Sequence, residues 1–293
     1  MITGNSQSLS VSVKSYMELL KFRLSFLVAF SCGFGYILGA NGGIDWLHFM
    51  AICTGGFLVS GASITINQVI EKDLDKLMSR TMNRPLPTGR ISVGQAIAFS
   101  LLVAAAGLGL LVIYTNMVTV LLSMLSMVLY SFVYTPLKRV GPVAVFVGAI
   151  PGALPPLLGW TAATGHISVE ALIIFGIQFI WQFPHFWAIA WVADEDYKKA
   201  GFKLLPSGGK KDLNTAIQIM IYTLFLIPIG LLPAKFGITG IDSAIVVTLC
   251  GVIFLSQTFG LMKNGNRKSA MRIMFGSFLY LPIVQIAYLL DKL

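Results

Sequence analysis

Charged residues are scarce in this chain of 293 amino acids, where Asp, Glu, Lys and Arg together occupy 11% of the positions. A soluble globular domain carries about 25% charged residues. Apolar residues reach 56% instead, and the mean hydropathy is +0.81. The shortage of charge therefore excludes a soluble globular protein and predicts a polytopic membrane protein.

Cysteine is almost absent as well. The three cysteines, Cys32, Cys53 and Cys250, all lie inside apolar runs and form no motif. The chain also lacks a CxxCH sequence, the pattern through which haem is attached covalently. We therefore interpret the cysteines as small residues of the core.

Long apolar runs fill most of the chain. A helix needs about 20 apolar residues to cross the hydrocarbon core of a bilayer. Runs of this order occur at 24–41, 47–70, 93–114, 117–134, 142–160, 169–192, 216–233, 241–262 and 271–290. Asp45 and Ser92 precede the second and third runs and are suited to cap helices. We predict an all-α fold, a polytopic membrane helix bundle of nine transmembrane helices.

The net charge of +9 is concentrated on one side of these runs. With a cytoplasmic N-terminus, 19 of the 21 Lys and Arg residues fall in inside segments, and only Lys235 and Lys292 fall outside. The positive-inside rule then predicts a cytoplasmic N-terminus and an external C-terminus. We attribute the excess charge to topology and to contact with the lipid bilayer, and we expect no nucleic-acid partner. The expected location is the cell (plasma) membrane of a bacterium.

Acidic residues at the end of the second run form a regular pattern. Asn67, Glu71 and Asp75 are spaced at i, i+4 and i+8, which aligns them along one face of a helix. Their oxygens can converge on a hard divalent cation, and the following Arg80 and Arg84 can bind phosphate oxygens. This stretch predicts a site for a metal-bridged diphosphate.

A second acidic cluster, Asp194 to Asp196, ends the sixth run on the same predicted side of the membrane. We therefore predict a single transmembrane domain at 17–293, preceded by a flexible cytoplasmic arm at 1–16. The cytoplasmic loops 67–92 and 193–215 are expected to form the polar cap of the active site.

Five further stretches carry a resemblance to a known family. They are, in order, NRPLPTGRI, YTPLKR, GAIPGALPPLLGW, QFPHFWAIA and DYKKAGFKLLP. With the NxxxDxxxD-like pattern at Asn67, Glu71 and Asp75, where Glu replaces the first Asp, they resemble the UbiA superfamily of membrane prenyltransferases. Within it they resemble the branch that prenylates haem. The resemblance covers nearly the whole chain and implies a UbiA-like helix bundle.

The resemblance implies transfer of the farnesyl group of farnesyl diphosphate to a vinyl group of protohaem IX (haem b), giving haem O and diphosphate. It implies Mg²⁺ as cofactor, with the catalytic and metal-binding residues Asn67, Glu71, Asp75 and Asp196. The expected diphosphate-binding residues are Arg80, Arg84, Lys138 and Lys199. The expected substrate-binding residues are His185, Tyr130, Tyr134, Trp187 and Tyr197. A downstream haem-modifying enzyme is a further expected partner.

Two of these residues need comment. Many relatives carry DxxxD in the second acidic motif, whereas Asp194 is followed four residues later by Lys198, so we prefer Asp196 as the functional acid. His185 lies nine residues before Asp194, roughly 13 Å along a helix, which suits a ligand or orienting group for the porphyrin. A lone histidine in an apolar helix is also commonly a hydrogen-bonded core residue.

Two other functions stay open from the residues alone. A prenyltransferase acting on a quinone precursor or another aromatic acceptor would need the same diphosphate site. A secondary transporter would place its acidic residues near the membrane midplane, often at broken helices. Here the acids cluster at helix ends on one side, which favours a metal–diphosphate site.

Overall fold

The computed structural model describes residues 13–293 as helices joined by short turns, without a β-strand in this range. The described residues include nine helices long and apolar enough to cross a membrane. They are α1 (Phe22–Gly39), α2 (Trp46–Ile70), α3 (Val93–Tyr114), α4 (Met117–Leu137), α5 (Val143–Thr164), α6 (Val169–Val192), α7 (Leu213–Lys235), α8 (Ile241–Asn264) and α9 (Arg267–Leu290). The predicted nine-helix membrane bundle is confirmed. The predicted arm at 1–16 lies largely outside the described residues, and its last four residues are helical.

The helices pack in a closed bundle. Helices that follow one another in sequence mostly lie side by side, α1 also packs against α5, and α9 contacts both α6 and α1. Large apolar side chains such as Leu102, Ile113 and Leu279 are exposed on the outside. A bilayer would cover this surface, so the exposed apolar side chains are consistent with nine membrane spans.

The closest helix contact joins α1 to α5 through two glycines. A Cβ atom on Gly159 of α5 would overlap the carbonyl oxygen of Cys32, and one on Gly35 of α1 would overlap that of Pro156. The two backbones therefore touch, as small residues permit between membrane helices. Although α5 contains three interior prolines, it runs as one helix from Val143 to Thr164.

Buried amides connect four helices inside the bundle. Gln285 of α9 donates through Nε2 to Oε1 of Gln178 on α6 (2.9 Å) and to Oγ of Ser31 on α1 (3.3 Å). Gln178 in turn donates to the carbonyl oxygen of Gly152 on α5 (2.8 Å). Such bonds satisfy polar groups where no water is available, and they fix α6 relative to α9.

Two predicted helix caps are confirmed. The Asp45 side chain accepts hydrogen bonds from the backbone N–H groups of Leu47 and His48 at the start of α2. Ser92 and Gln95 form a reciprocal capping box at the start of α3. The Ser92 capping box fixes where loop 67–92 ends and α3 begins.

A turn of π-helix interrupts α4 at Leu129–Tyr134, just before its C-terminal end. The Thr135 hydroxyl donates to the carbonyl oxygen of Tyr130 (2.9 Å), which supports the wider turn. A π-turn changes the rotation of the residues that follow it, and such turns are frequent at functional sites. Here Thr135 and Lys138 both contact α2.

Candidate active site

The acidic face predicted at the end of α2 is continuous in the structure. The helix ends at Ile70, and Glu71 leads into a short helix, Lys72–Asp75. The N–H of Glu71 bonds to the carbonyl oxygen of Asn67 (2.9 Å), and that of Asp75 bonds to Glu71 (2.8 Å). The helical repeat therefore carries across the junction. The side chains of Asn67, Glu71 and Asp75 are all buried, and Asp75 is 0% exposed.

Each buried acid is paired with one cation. Lys138 Nζ lies 2.8 Å from Glu71 Oε1, and Arg84 Nη1 donates to Asp75 Oδ2 at 2.7 Å. Lys138 reaches the site from the end of α4, and its ammonium also lies 4.8 Å from the centre of the Tyr134 ring. The structure thus brings together five of the predicted site residues from three segments of the chain.

The oxygen atoms of this face fit a divalent cation. Asp75 Oδ1 is buried and makes no hydrogen bond to a residue in 13–293, whereas the buried Glu71 Oε1 has the Lys138 ammonium as its ion-pair partner. Asn67 uses its amide nitrogen to donate to Thr135 Oγ1 (2.9 Å), which leaves its carbonyl oxygen for another partner. Buried carboxylate oxygens without donors are costly, and hard cations such as Mg²⁺ take oxygen ligands.

The protein ligands alone do not complete such a site. Within residues 13–293, no group of three or more His, Cys, Asp or Glu side chains is placed to hold a metal ion. Mg²⁺ commonly uses one or two carboxylates together with water and substrate phosphates. The arrangement therefore suits a cation that arrives with a phosphorylated substrate.

Lys21 is a site residue that sequence reasoning missed. It precedes α1 in a left-handed backbone conformation (φ 44°), the only non-glycine residue of the described chain with positive φ. The pKa of Lys21 is lowered to about 7, mainly by burial and also by the charges of Arg84 and Lys138, while the charges of Asp75 and Glu71 partly oppose the shift. The sequence position of Lys21 indicated only that it lies where the first helix enters the membrane. Its closeness to the acidic face depends on the packing of α1 beside α2.

The second acidic cluster is placed differently from the first. Asp194 is buried, and its Oδ2 atom forms ion pairs with Lys198 Nζ at 2.9 Å and with Lys211 Nζ at 3.0 Å. Asp196 accepts backbone hydrogen bonds from Ser79 and Arg80 in the first loop. The predicted metal-binding role of Asp196 is therefore in competition with contacts that the carboxylate already makes.

The charge of Asp196 is stabilised where it lies. Burial acts to raise the pKa of this carboxyl, but hydrogen bonds from the Ser79 N–H and the Lys199 ammonium outweigh it and leave the pKa below the usual value. Lys199 Nζ lies 3.3 Å from Asp196 Oδ1. Lys199, predicted to bind diphosphate, is here a partner of Asp196. The carboxylate is consequently ionised at neutral pH.

A cavity of about 480 Å³ opens beside Glu71. Its lining includes Thr135 and Arg139 from the end of α4 and Lys203 from the second loop. Arg139 and Lys203 were not among the predicted diphosphate-binding residues, although both belong to the family-like stretches of the sequence. The cavity thus places two cations, Arg139 and Lys203, near Glu71 in a wall that is otherwise largely apolar.

His185 has a defined hydrogen-bond partner deeper in the bundle. Its Nδ1 atom lies 2.9 Å from the Ser277 hydroxyl of α9, and that hydroxyl donates to the carbonyl oxygen of Met274 (2.6 Å). Serine has one proton to donate, so His185 Nδ1–H must be the donor in this pair. Nε2 then carries the lone pair, which is the state needed to bind a metal.

The aromatic residues predicted to contact substrate fall into two groups. Tyr130 and Tyr134 lie 5.5 Å apart between ring centres, and Phe186 connects Tyr134 (6.5 Å) to His185 (5.4 Å). Phe186 was not predicted, because it is one of many phenylalanines in the apolar run of α6. Trp187 is not part of this group.

Trp187 packs on the other side of α6. Its ring lies 5.4 Å from Phe183 and 5.1 Å from Tyr222 of α7. The indole N–H is buried and has no hydrogen-bond acceptor among residues 13–293. The structure therefore places Trp187 in the α6–α7 interface, apart from the tyrosines.

Known proteins share both the sequence and the fold of this chain. The profile of the UbiA prenyltransferase family matches residues 28–281. The protoheme IX farnesyltransferase of Cytophaga hutchinsonii is 54% identical over 280 residues, which cover 96% of this chain and 98% of that protein.

Two solved structures have the same arrangement of helices. A digeranylgeranylglyceryl phosphate synthase superposes with a TM-score of 0.79 at 21% identity, covering 96% of this chain and 98% of its own. A UbiA homologue from Archaeoglobus fulgidus bound to DMAPP and Mg²⁺ gives 0.67 at 20% identity, covering 94% of this chain and 99% of its own. At these identities the likeness shows the fold.

Proposed function

Because the chain belongs to the UbiA prenyltransferase family, we propose that it transfers the farnesyl group of farnesyl diphosphate to a vinyl group of haem b. Haem b, water and farnesyl diphosphate are consumed, and haem O and diphosphate are formed. The observation that carries this proposal is the buried acidic face of Glu71 and Asp75 with its two paired cations, in a chain so similar to a haem-prenylating enzyme.

The acidic face is the proposed diphosphate site. Asn67, Glu71 and Asp75 would hold Mg²⁺, which neutralises charge on the leaving diphosphate when bound. The buried Asp75 Oδ1 atom, which lacks a hydrogen-bond donor among residues 13–293, supports this assignment. The Mg²⁺ seen with the Archaeoglobus homologue is a property of that protein, which shares this fold.

Binding would exchange the internal ion pairs for new ones. Lys138 and Arg84 now neutralise Glu71 and Asp75. When the acids take a metal cation, both side chains are released to donate to phosphate oxygens, a role for which guanidinium and ammonium groups are suited. Arg80, Lys199 and Lys21 add positive charge around the same loops.

The farnesyl group would react close to the tyrosine pair. Cleavage of its C–O bond sends the electron pair to diphosphate and leaves an allylic cation. Aromatic faces stabilise cations, and Tyr134 already lies below the Lys138 ammonium. The haem vinyl group then forms the new C–C bond, and addition of water with loss of a proton gives the hydroxyl group of haem O.

His185 is the proposed contact to the porphyrin. Its Nε2 lone pair can bind the haem iron, because Ser277 accepts the proton on Nδ1. The ring contacts from Tyr134 to Phe186 and from Phe186 to His185 support a position of this histidine near the proposed reaction centre. A purely structural role, as a hydrogen-bonded core residue, is the alternative.

The protein is a multi-pass membrane protein, and we propose that its active site opens to the cytoplasm of a bacterial cell. The distribution of 19 of 21 cations supports a cytoplasmic N-terminus and an external C-terminus. Haem O is strongly apolar, so it would stay in the membrane after release. A membrane-bound haem-modifying enzyme is therefore the proposed next partner.

The direct test is turnover by purified protein in detergent or lipid nanodiscs. Labelled farnesyl diphosphate and haem b should give labelled haem O with Mg²⁺ and none after chelation. A parallel reaction with a quinone precursor tests the other acceptor class. Prenylation of that precursor, with no haem product, would reject the haem assignment, and ion-driven uptake without any transfer would support a transporter.

A further inference from the structure

The two cytoplasmic loops meet at one carboxylate. Asp196, from the loop after α6, accepts the backbone N–H of Ser79 on Oδ1 (3.2 Å) and that of Arg80 on Oδ2 (3.3 Å). Two successive N–H groups in a turn form a concave donor pair that binds anions. Each carboxylate oxygen therefore has a donor from the opposite loop.

Tyr197, the residue after Asp196, adds a contact with the Arg80 side chain. The Arg80 guanidinium lies over the Tyr197 ring, 4.6 Å from its centre, and Nη2 donates to the Tyr197 hydroxyl (3.0 Å). Arg80 is thus fixed through both its backbone and its side chain. We name the four residues Ser79, Arg80, Asp196 and Tyr197 the loop clasp.

The loop clasp is also connected to Lys138. Tyr197 packs edge-on against Phe202 (5.6 Å), and the Lys138 ammonium lies 5.6 Å from the Phe202 ring centre. The N–H of Lys203 bonds to the Lys138 carbonyl oxygen (3.0 Å). The second loop therefore contacts both Arg80 and Lys138.

We propose that Asp196 is a positioning residue that orients Arg80 toward diphosphate, and that it does not ligate the metal. The substrate part of this inference rests on the proposed function. Both oxygens of Asp196 are occupied by the first loop. Within residues 13–293 its carboxylate also forms no three-membered metal-binding group with Glu71 and Asp75.

Two readouts separate positioning from metal binding. In Asp196→Ala the 76–84 segment should exchange its amide hydrogens at least about tenfold faster, because two charge-assisted hydrogen bonds are lost. The KM for farnesyl diphosphate should rise by about the same factor, with a smaller change in kcat. The Mg²⁺ concentration for half-maximal binding, measured by calorimetry with a non-reactive diphosphate analogue, should stay the same.

Conservative variants and a control keep the test independent of misfolding. Asp196→Asn retains one acceptor and should give an intermediate effect, while Tyr197→Phe should affect only the Arg80 side chain and leave exchange at Ser79 unchanged. Asp73→Asn is the control, since Asp73 is exposed and pairs only with Lys76 in its own loop. It should behave as the wild type.

The opposite pattern would overturn the proposal. A tenfold rise in the Mg²⁺ requirement, with unchanged exchange at 76–84, would make Asp196 a metal ligand. If the wild type fails to form haem O, the proposed function fails. The exchange experiment still decides whether the clasp exists, because it needs no substrate.

Discussion

Asp75 is a fully buried carboxylate whose one ion-pair partner in the described chain is Arg84. We expect Asp75→Asn or Glu71→Gln to lower turnover by about 100-fold or more, roughly 3 kcal/mol, because each removes a major electrostatic contribution at the leaving group. Haem O formation should be measured together with size-exclusion profiles. Asp73→Asn should retain activity, and near-normal turnover in both buried variants at ordinary Mg²⁺ would reject the metal site.

We expect Lys138 to weaken binding of the metal cation and to strengthen binding of diphosphate. It competes with a cation for Glu71, yet it is expected to bind phosphate. Lys138→Gln should therefore increase Mg²⁺ affinity in the absence of diphosphate and weaken binding of a diphosphate analogue by about tenfold. Titration calorimetry measures both, with the exposed Lys76→Gln as control. Weaker binding of both ligands would contradict the exchange of ion pairs.

We expect Lys21 to make diphosphate binding depend on pH. Its pKa of about 7 leaves the amine largely neutral at pH 8, and a bound diphosphate would raise that pKa. Binding at pH 8 should then take up a proton, and affinity should fall as pH rises above 7. Calorimetry in buffers of different ionisation enthalpy measures this uptake. Lys21→Met should abolish it, whereas equal uptake in both proteins would exclude Lys21 as its source.

At the residue level, the sequence predicts what is local. The helical alignment of Asn67, Glu71 and Asp75 follows from their spacing and is confirmed by backbone hydrogen bonds across the end of α2. Their role as metal ligands stays a prediction. The partners of Asp196 and the orientation of Trp187 depend on how separate segments of the chain pack against each other. The spacing of residues along one helix carries no information about this packing.

Among the helices, α6 and α9 are joined at the proposed porphyrin contact by His185 and Ser277. His185→Ala should weaken haem binding while farnesyl diphosphate binding is retained, because the diphosphate site lies roughly two turns or more away. Ser277→Ala should lower haem affinity about tenfold by removing the acceptor for Nδ1–H. Haem titration by absorbance and calorimetry with diphosphate measure the two effects.

The control for this pair is Ser256→Ala, whose hydroxyl bonds within its own helix to Ile253. It should leave both affinities unchanged. If His185→Ala instead loses thermal stability and binds both substrates equally poorly, the histidine is a core residue. Unchanged haem spectra and affinity in a stable variant would remove it from the site.

Helix number was predictable from the sequence, while helix ends and irregular turns were not. The last helix was expected at 271–290 but begins at Arg267, because Asn266 caps it and the polar turn continues out of the apolar run. The π-turn in α4 has no signature in the apolar pattern, since one wider turn leaves the hydrophobic run intact. Both features arise from local hydrogen bonds, which composition does not report.

For the molecule as a whole, the membrane orientation is a prediction from charge. Single cysteines at Ser79 or Ser207, in a protein lacking Cys32, Cys53 and Cys250, should react in intact cells only with a membrane-permeant reagent. Asn41→Cys, in the turn between α1 and α2, should react with an impermeant one. Labelling of Ser79→Cys or Ser207→Cys from outside would reverse the topology.

The ion pairs Glu71–Lys138 and Asp75–Arg84 also bear on the protein between turnovers. A resting site that neutralises its own charges has little affinity for a free metal ion or for a free anion, since either ligand alone must break a pair and leave its partner exposed. Only a cation and a diphosphate arriving together replace all four charges at once. We therefore expect the enzyme to act as a coincidence detector, which binds either ligand alone weakly and binds both together tightly.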